Sequence, residues 1–389
     1  MHEILVLGAG YAGLMAATSL AGRTGRRDDV RITLVNGSDR FTERLRLHQV
    51  ATGQRLAELS IPAVLAGTDA RLVTGWVTAI DPATRTVRVD DERVLRYDTL
   101  VYALGGVADT AAVPGADEHA YALDGAPAAE ALARRLAEVA RPGGGAVAVC
   151  GTGLTGIELA TEIAESYPGL AVTLLGTAEP GAGLGRRART HLDGALARLG
   201  VRVRAGAEVV KVLPGAVALA GGATVEADVV VWAAGVRVPP LAAAAGLTVD
   251  GHGRIVVDGA LRSVSHPEVY AIGDAAAIRQ GFGVLHGTCQ SGMPTGVQVA
   301  WNIARELDGR EPGRFRFGYV HLPVSLGRGD AVIQFTRPDG GPKRLALTGR
   351  AAVWYKETVS SSPWSSFQRM LRSPGAGRLA WRRGGRQTR

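Results

Sequence analysis

The chain has 389 residues, 46% of them hydrophobic, enough to fill two or three domain cores. Two cysteines exclude a disulfide framework and point to a reducing compartment, and no run of about 20 uncharged apolar residues is available to span a membrane as a helix. The formal charge of +8 is uneven: residues 356–389 hold eight basic side chains against one acid, Glu357, so the remaining body is nearly neutral and does not read as a nucleic-acid binder.

The chain enters an apolar strand at residue 4, so no signal peptide is expected before it. That strand runs directly into Gly8-Ala9-Gly10-Tyr11-Ala12-Gly13 and a helix carrying Leu14, Ala17 and Leu20. Strand, Gly-x-Gly-x-x-Gly and helix together form a dinucleotide fingerprint. The first Gly permits a tight turn, the second lets the backbone approach a pyrophosphate, and the third lets the helix pack on its strand. The free N–H groups and positive end of the helix dipole then face the phosphates. The next strand, 31–35, ends in Asn36, where a carboxylate normally grips the ribose.

Short strands are expected at 76–80, 86–89 and 99–104, with turn chemistry at Asp81-Pro82-Ala83-Thr84. A Pro- and Ala-rich stretch ends at Arg141-Pro142-Gly143-Gly144-Gly145, and a domain boundary is placed there. The fingerprint then recurs 143 residues after the first copy, as Gly151-Thr152-Gly153-Leu154-Thr155-Gly156 behind the strand 146–150. Its helix carries Ile157, Leu159, Ala160 and Ile163. Here the strand 172–175 ends in Gly176, with no carboxylate to reject a 2′-phosphate; Arg186 and Arg187, ten residues on, are candidates to welcome one, so NADH and NADPH both stay open. Further strands are expected near 201–204 and 228–233, and 269–272 leads to the turn Gly273-Asp274. No metal-ligand spacing is present.

The expected fold is therefore α/β, two Rossmann-like dinucleotide-binding domains, one inserted in the other, with a C-terminal extension. The outer domain takes residues 1–115 and 257–320, the inner one 142–256, and the extension 321–389. Two such loops imply two dinucleotides, and a protein that holds two commonly passes electrons between them.

Five motifs in order carry a resemblance: Gly8–Gly13, Tyr102-Ala103-Leu104-Gly105-Gly106, Gly151–Gly156 with Glu158, Trp232-Ala233-Ala234-Gly235, and Ala271-Ile272-Gly273-Asp274. Over roughly residues 1–305 the chain resembles the pyridine nucleotide–disulfide oxidoreductase superfamily, and within it looks most like type II NADH dehydrogenases. The resemblance implies that Gly8, Gly10, Gly13, Asn36, Gly105 and Asp274 bind FAD, and that Gly151, Gly153, Gly156 and Glu158 receive NAD(P)H. Asn36 replaces the family's usual acidic ribose ligand.

Disulfide reductases lay a cysteine pair against the flavin. The corresponding stretch, residues 41–48, has no cysteine, and Cys150 and Cys289 stand alone, so electrons are expected to leave the flavin directly. Arg44, Arg46 and His48 in this stretch are flavin-edge candidates, where a cation stabilises anionic reduced flavin; a role toward the FAD phosphate or toward solvent is the alternative. The resemblance places an acceptor slot at 285–294. Gln290 matches one of the family's two Gln positions and Pro294 stands about where the second belongs; His286 reads equally as an acceptor-pocket residue or a structural histidine.

Near the C-terminus Trp364, Phe367, Met370 and Leu371 share one helical face flanked by Arg369 and Arg372. Two readings follow: a basic amphipathic tail on an anionic membrane surface, or a helix packed on the body with a basic end. The expected function is hydride transfer from NAD(P)H to FAD and onward electron transfer to a quinone or quinone-like acceptor. The alternatives are a soluble oxidoreductase with a small-molecule or protein acceptor, and a non-catalytic NAD(P)H-responsive scaffold. The expected location is cytoplasmic, with a peripheral place on the inner face of the cell membrane open, and so is a homodimer.

Overall fold

A computed structural model describes residues 1–140 and 143–375. The chain opens with β1 (His2–Leu7), α1 (Tyr11–Thr24) and β2 (Val30–Asn36), followed by the short α2 (Leu47–Val50), then β3 (Arg71–Thr74) and β4 (Thr99–Tyr102). It continues through β5 (Tyr121–Ala122), α3 (Ala126–Val139), β6 (Gly145–Cys150), α4 (Leu154–Ser166), β7 (Leu170–Gly176), α5 (Arg186–Arg198), β8 (Arg202–Ala205) and β9 (Val229–Trp232). The last part holds β10 (Val269–Ala271), α6 (Cys289–Leu307), β11 (His321–Ser325), β12 (Ala331–Thr336), β13 (Pro342–Thr348) and α7 (Gly349–Arg372).

Two five-stranded parallel sheets organise the molecule. The first has the order β10-β4-β1-β2-β3 and the second β8-β7-β6-β9-β5. In each, the strand before a glycine fingerprint is central, and its carboxyl end opens onto the crevice where α/β sheets bind ligands. Both central strands are near-continuous apolar runs because helices cover both faces. Helix α1 is buried along almost its whole length, between α6 and α7.

The second domain begins earlier than the boundary at 142. Strand β5 pairs with β9, and Ala129, Leu132 and Leu136 of α3 enter the second core. The Pro- and Ala-rich stretch before 142 therefore carries a strand and a helix of the second domain. The first core likewise resumes before 257, since Val238, Ala242, Leu247 and Ile255 pack into it.

The extension is a third layer. Strands β11–β13 form an antiparallel sheet, with Ile333 against Ala352 of α7 on one face and Val324, Leu326, Val332 and Ala346 in the second core on the other. Helix α7 then runs onto the first domain, where Phe367 and Met370 are buried in the first core. A Cβ at Gly22 of α1 would sit 2.3 Å from the Met370 carbonyl oxygen, so a glycine is what lets these helices approach.

This packing corrects the membrane reading of the helical face. Phe41 of the first domain takes Phe367 edge-on at 5.2 Å between ring centroids and Trp364 at 5.9 Å. Phe367 and Met370 are covered by the protein itself, and Trp364 and Leu371 are partly so. The basic residues at 378–389 lie outside the described residues. No described helix is long and apolar enough to cross a membrane.

Candidate active site

Each glycine loop has the geometry of a phosphate cradle. Gly8 has φ of 90° and Gly151 φ of 126°, a region that L side chains rarely adopt. A Cβ on Gly13 would come within 1.9 Å of the Gly8 carbonyl oxygen, and one on Gly156 within 1.8 Å of the Gly151 oxygen. The middle glycines, Gly10 and Gly153, face open space and cap α1 and α4. Unpaired N–H groups at the start of long helices, with no side chain in front of them, suit a pyrophosphate.

Asn36 has another duty. Its Oδ1 accepts from the Ala9 N–H at 2.9 Å and its Nδ2 donates to the Ser38 carbonyl at 2.7 Å. The side chain therefore ties the first loop to the end of β2, and both of its polar ends are occupied.

Across the crevice a cavity of about 330 Å³ is lined by Gly273 and Asp274, by His286, Gly287, Ser291 and Thr295 around the start of α6, and by Val236, Val238 and Arg254. Among the described residues no donor meets the Asp274 carboxylate. Burial raises its pKa, while Arg44 and His286 pull the other way. A half-buried carboxylate facing a cavity without a protein partner fits the hydroxyls of a ribityl chain. Gly105, with φ of 68° and nothing before it, leaves the backbone open at the end of β4. These features fit a flavin dinucleotide along the first loop.

The edge candidates divide. Arg44 Nη1 donates to the Gly106 carbonyl at 2.9 Å and so stands beside that opening. Arg46 pairs with Glu357 at 2.8 Å and with Glu43 at 3.5 Å, which fastens the loop to α7. His48 joins a different group. Helix α2 lies in the seam between the domains, with Leu47 in the second core, and this sets His48 Nδ1 at 3.8 Å from Glu158.

Glu158 lies in the second turn of α4. It accepts from Lys356 Nζ and from the Ser325 N–H at 3.0 Å. Burial pushes its pKa up, but Lys356, His48 and the Ser325 N–H outweigh that and hold it below the usual carboxylate range. His48, buried and with Nε2 unpartnered, is pushed down to about 4 by desolvation against the pull of Glu158. One turn further along α4, Glu162 is fully buried, accepts only from Gln54, and is pushed up to about 7 by desolvation. The cluster thus combines the Glu158–Lys356 salt bridge with an imidazole that is neutral at neutral pH and a carboxyl that titrates near neutrality.

Gln290 has both polar ends taken up by backbone groups. Its Nε2 donates to the His321 carbonyl at 2.8 Å and its Oε1 accepts from the Val320 N–H at 2.7 Å, clamping the start of α6 to the strand segment before β11. His286 stays at the cavity, stacked on Tyr319 at 4.2 Å. Cys289 and Cys150 are free thiols, pushed up to about 11 and about 12 by burial, and neither is a thiolate at neutral pH.

At the second loop the end of β7 is closed to a carboxylate. A Cβ on Gly176 would meet Thr152 Oγ1 at 2.7 Å, and that hydroxyl donates to the Ala178 carbonyl. Beyond it an open recess of about 740 Å³ at the ends of β7 and β8 is lined by Glu179, Arg204 and Glu208, and not by Arg186 or Arg187.

Lys356 escaped the sequence reading, which counted it only as tail charge. Ala352, Lys356, Ser360, Phe367 and Met370 are all buried on α7. A lysine on the inward face of a helix was the available sign of a buried partner.

Comparison with known proteins agrees with this geometry. The family description "Pyridine nucleotide-disulphide oxidoreductase" matches residues 2–304. An NADH dehydrogenase-like protein of Mycobacterium tuberculosis is 30% identical over 387 residues, covering 93% of this chain and 94% of the relative. A type II NADH:quinone oxidoreductase of Staphylococcus aureus is 28% identical, covering 88% of this chain and 92% of the relative. Among solved structures, the sulfide:quinone oxidoreductase of Aquifex aeolicus superposes with a TM-score of 0.82 at 18% identity, covering 98% of this chain and 94% of that one.

Proposed function

Because this chain belongs to the pyridine nucleotide–disulphide oxidoreductase family and is an NAD(P)H-dependent flavoprotein oxidoreductase, we propose that it is an NADH dehydrogenase that holds FAD and delivers electrons to a quinone. Gly8, Gly10 and Gly13 would hold the FAD pyrophosphate, with Asp274 and Gly105 toward the flavin half, and Gly151, Gly153 and Gly156 would receive the nicotinamide nucleotide. Bound in this way, the flavin supplies two-electron chemistry: it takes hydride equivalents from the nicotinamide and gives electrons to the acceptor.

The protein's own contribution is positioning and electrostatics. Glu158 orients the nicotinamide end, and Lys356 and the Ser325 N–H hold its carboxylate in one place. Arg44 holds a cation beside Gly106, where it would stabilise the negative charge of a reduced flavin. Helix α2 and the third layer exclude water from the seam. The observation that carries the quinone reading is that third layer: β11–β13 and α7 close over the start of α6 and reach the nicotinamide cluster through Lys356. The quinone-reducing relative of Staphylococcus aureus is matched over 92% of its own length.

The donor is read as NADH, since two carboxylates and one guanidinium line the recess beyond Gly176 and a 2′-phosphate would add two further negative charges. A second reading, a small-molecule or protein acceptor in place of quinone, draws on Gln290, which is taken up by the backbone of Val320 and His321.

The test is stopped-flow reoxidation of the reduced flavin against menaquinone, ubiquinone, ferredoxin and oxygen. The proposal expects anaerobic bleaching by NADH and fastest reoxidation by a quinone. Faster reoxidation by ferredoxin or oxygen overturns the quinone assignment, and absence of bleaching overturns the enzyme reading.

A further inference from the structure

Trp76 is 73% exposed, the largest exposure of any tryptophan among the described residues. Exposure alone does not mark a site, since single exposed apolar side chains are common and Trp354 on α7 is 72% exposed as well. Its position is specific. Strand β3 runs parallel to β2 with Thr74 opposite Asn36, so Trp76 follows β3 at the carboxyl edge of the sheet, beside Gly37. The nucleoside half of a dinucleotide extends over that edge, past the end of β2.

The segment is held rigid without using the ring. The Trp76 N–H donates to Asp90 Oδ1 at 2.7 Å and its carbonyl accepts from the Asp90 N–H at 2.9 Å. Arg93 bridges Asp90 Oδ2 at 2.6 Å and the Thr74 carbonyl at 2.7 Å. The indole itself leans on Gly37: a Cβ there would come within 2.8 Å of its Cε2. A glycine at 37 lets the ring stand against the strand end while leaving most of its surface free. Asn36 has both polar ends occupied, so this edge lacks the acidic ribose contact usual in such folds. The adenosine needs another holder.

We propose that Trp76 is the stacking platform for the adenine of the resident dinucleotide, compensating for the missing carboxylate at the end of β2. The proposal rests on the FAD reading above and deepens it. Base-on-indole stacking tolerates any base and depends on the ring alone, so a phenyl ring preserves part of it.

The test is titration of the flavin-free protein with FAD, following flavin fluorescence, for wild type, W76F and W76A. Loss of a base stack weakens binding by about five-fold to 150-fold. W76A is expected in that range and W76F within about five-fold of wild type. The visible spectrum and midpoint potential of loaded W76A are expected to be those of wild type, because the ring acts at the end of FAD remote from the isoalloxazine. G37A, which leaves the Asp90 clamp intact and pushes the indole off its support, is expected to weaken FAD in the same direction. FAD affinity in W76A within two-fold of wild type, or an altered flavin spectrum accompanying the loss, overturns the proposal. A wild-type protein that retains no FAD defeats the underlying flavin reading instead.

Discussion

The two glycine loops share nearly the same local geometry and sit in different surroundings. At the first, α1 is buried along most of its length under α6 and α7, Asn36 is tied to Ala9, and Asp274 closes the far side. At the second, α4 meets the seam with Glu158 and Glu162, and the nucleoside end opens into a recess rimmed by the exposed Glu179, Arg204 and Glu208. The lesson is that the fingerprint fixes where a pyrophosphate goes, while the packing of its helix decides whether the nucleotide stays or exchanges. The first loop is built into the core of its domain; the second presents one half to solvent.

The strongest way to break this comparison is to add one methyl group to each loop. G13A and G156A place a Cβ within 1.9 and 1.8 Å of a backbone oxygen, an overpacking cost of about 1–3 kcal/mol or more. G13A is expected to lose flavin and to melt several degrees below wild type. G156A is expected to stay yellow and lose NADH binding by about 100-fold or more, read by calorimetric titration. Loss of flavin from both variants alike would end the distinction between resident and visitor.

Next in size is K356M. It leaves Glu158 buried beside a neutral side chain; Lys356 and Glu158 are 7% and 13% exposed. Breaking such a pair from one side costs about 3–5 kcal/mol. Urea unfolding should show that loss, and E158Q/K356M should recover most of it. Equal losses in single and double variants would mean the pair is not coupled.

The pH dependence sharpens the contrast at the seam. His48 is neutral in the fold, down from 6.5 to about 4, so its stability contribution is complete above 6.5 and is lost as pH falls toward 4. Glu162 is raised from 4.5 to about 7, so its contribution is complete below 4.5 and is lost as pH rises through 7. Both span about 3 kcal/mol with opposite sign. Lys356, Arg328, Arg46 and Glu158 face His48, and Arg328, Glu165 and Glu158 face Glu162. Urea midpoints between pH 5 and 8 should rise with pH in E162Q and fall with pH in H48Q, relative to wild type. Parallel profiles in the two variants would refute the opposed titrations.

The smallest effect lies at the open recess. E179Q/E208Q is expected to narrow the preference for NADH over NADPH by about ten-fold, close to 1.4 kcal/mol, mainly through faster use of NADPH. An unchanged ratio of kcat/KM values would remove these carboxylates from nucleotide selection.

Much of this was legible in the chain because it is written locally. Strand, three glycines and helix are contiguous, and the duplication and the Gly273-Asp274 turn follow from adjacent residues. Asn36 was read as a ribose ligand because position alone does not say which partners a side chain has. The partners of Gln290 were hidden for the same reason, since they are backbone groups 30 and 31 residues away. The face of Trp364, Phe367 and Met370 was recognised as apolar, but amphipathicity states that a face must be covered and not by what. Lys356 and Glu158 lie 198 residues apart, a pairing that no pattern within one segment encodes.

The descent of α7 onto α1 carries a consequence for biosynthesis. Arg23 and Pro374 touch across 351 positions of sequence, so the domain translated first is the last to be sealed. Until the final helix arrives, Phe41 and the α1 surface under Met370 remain uncovered, a sticky intermediate throughout elongation. Burial of that surface thereby becomes a late event, completed only when the end of the chain folds back over its beginning.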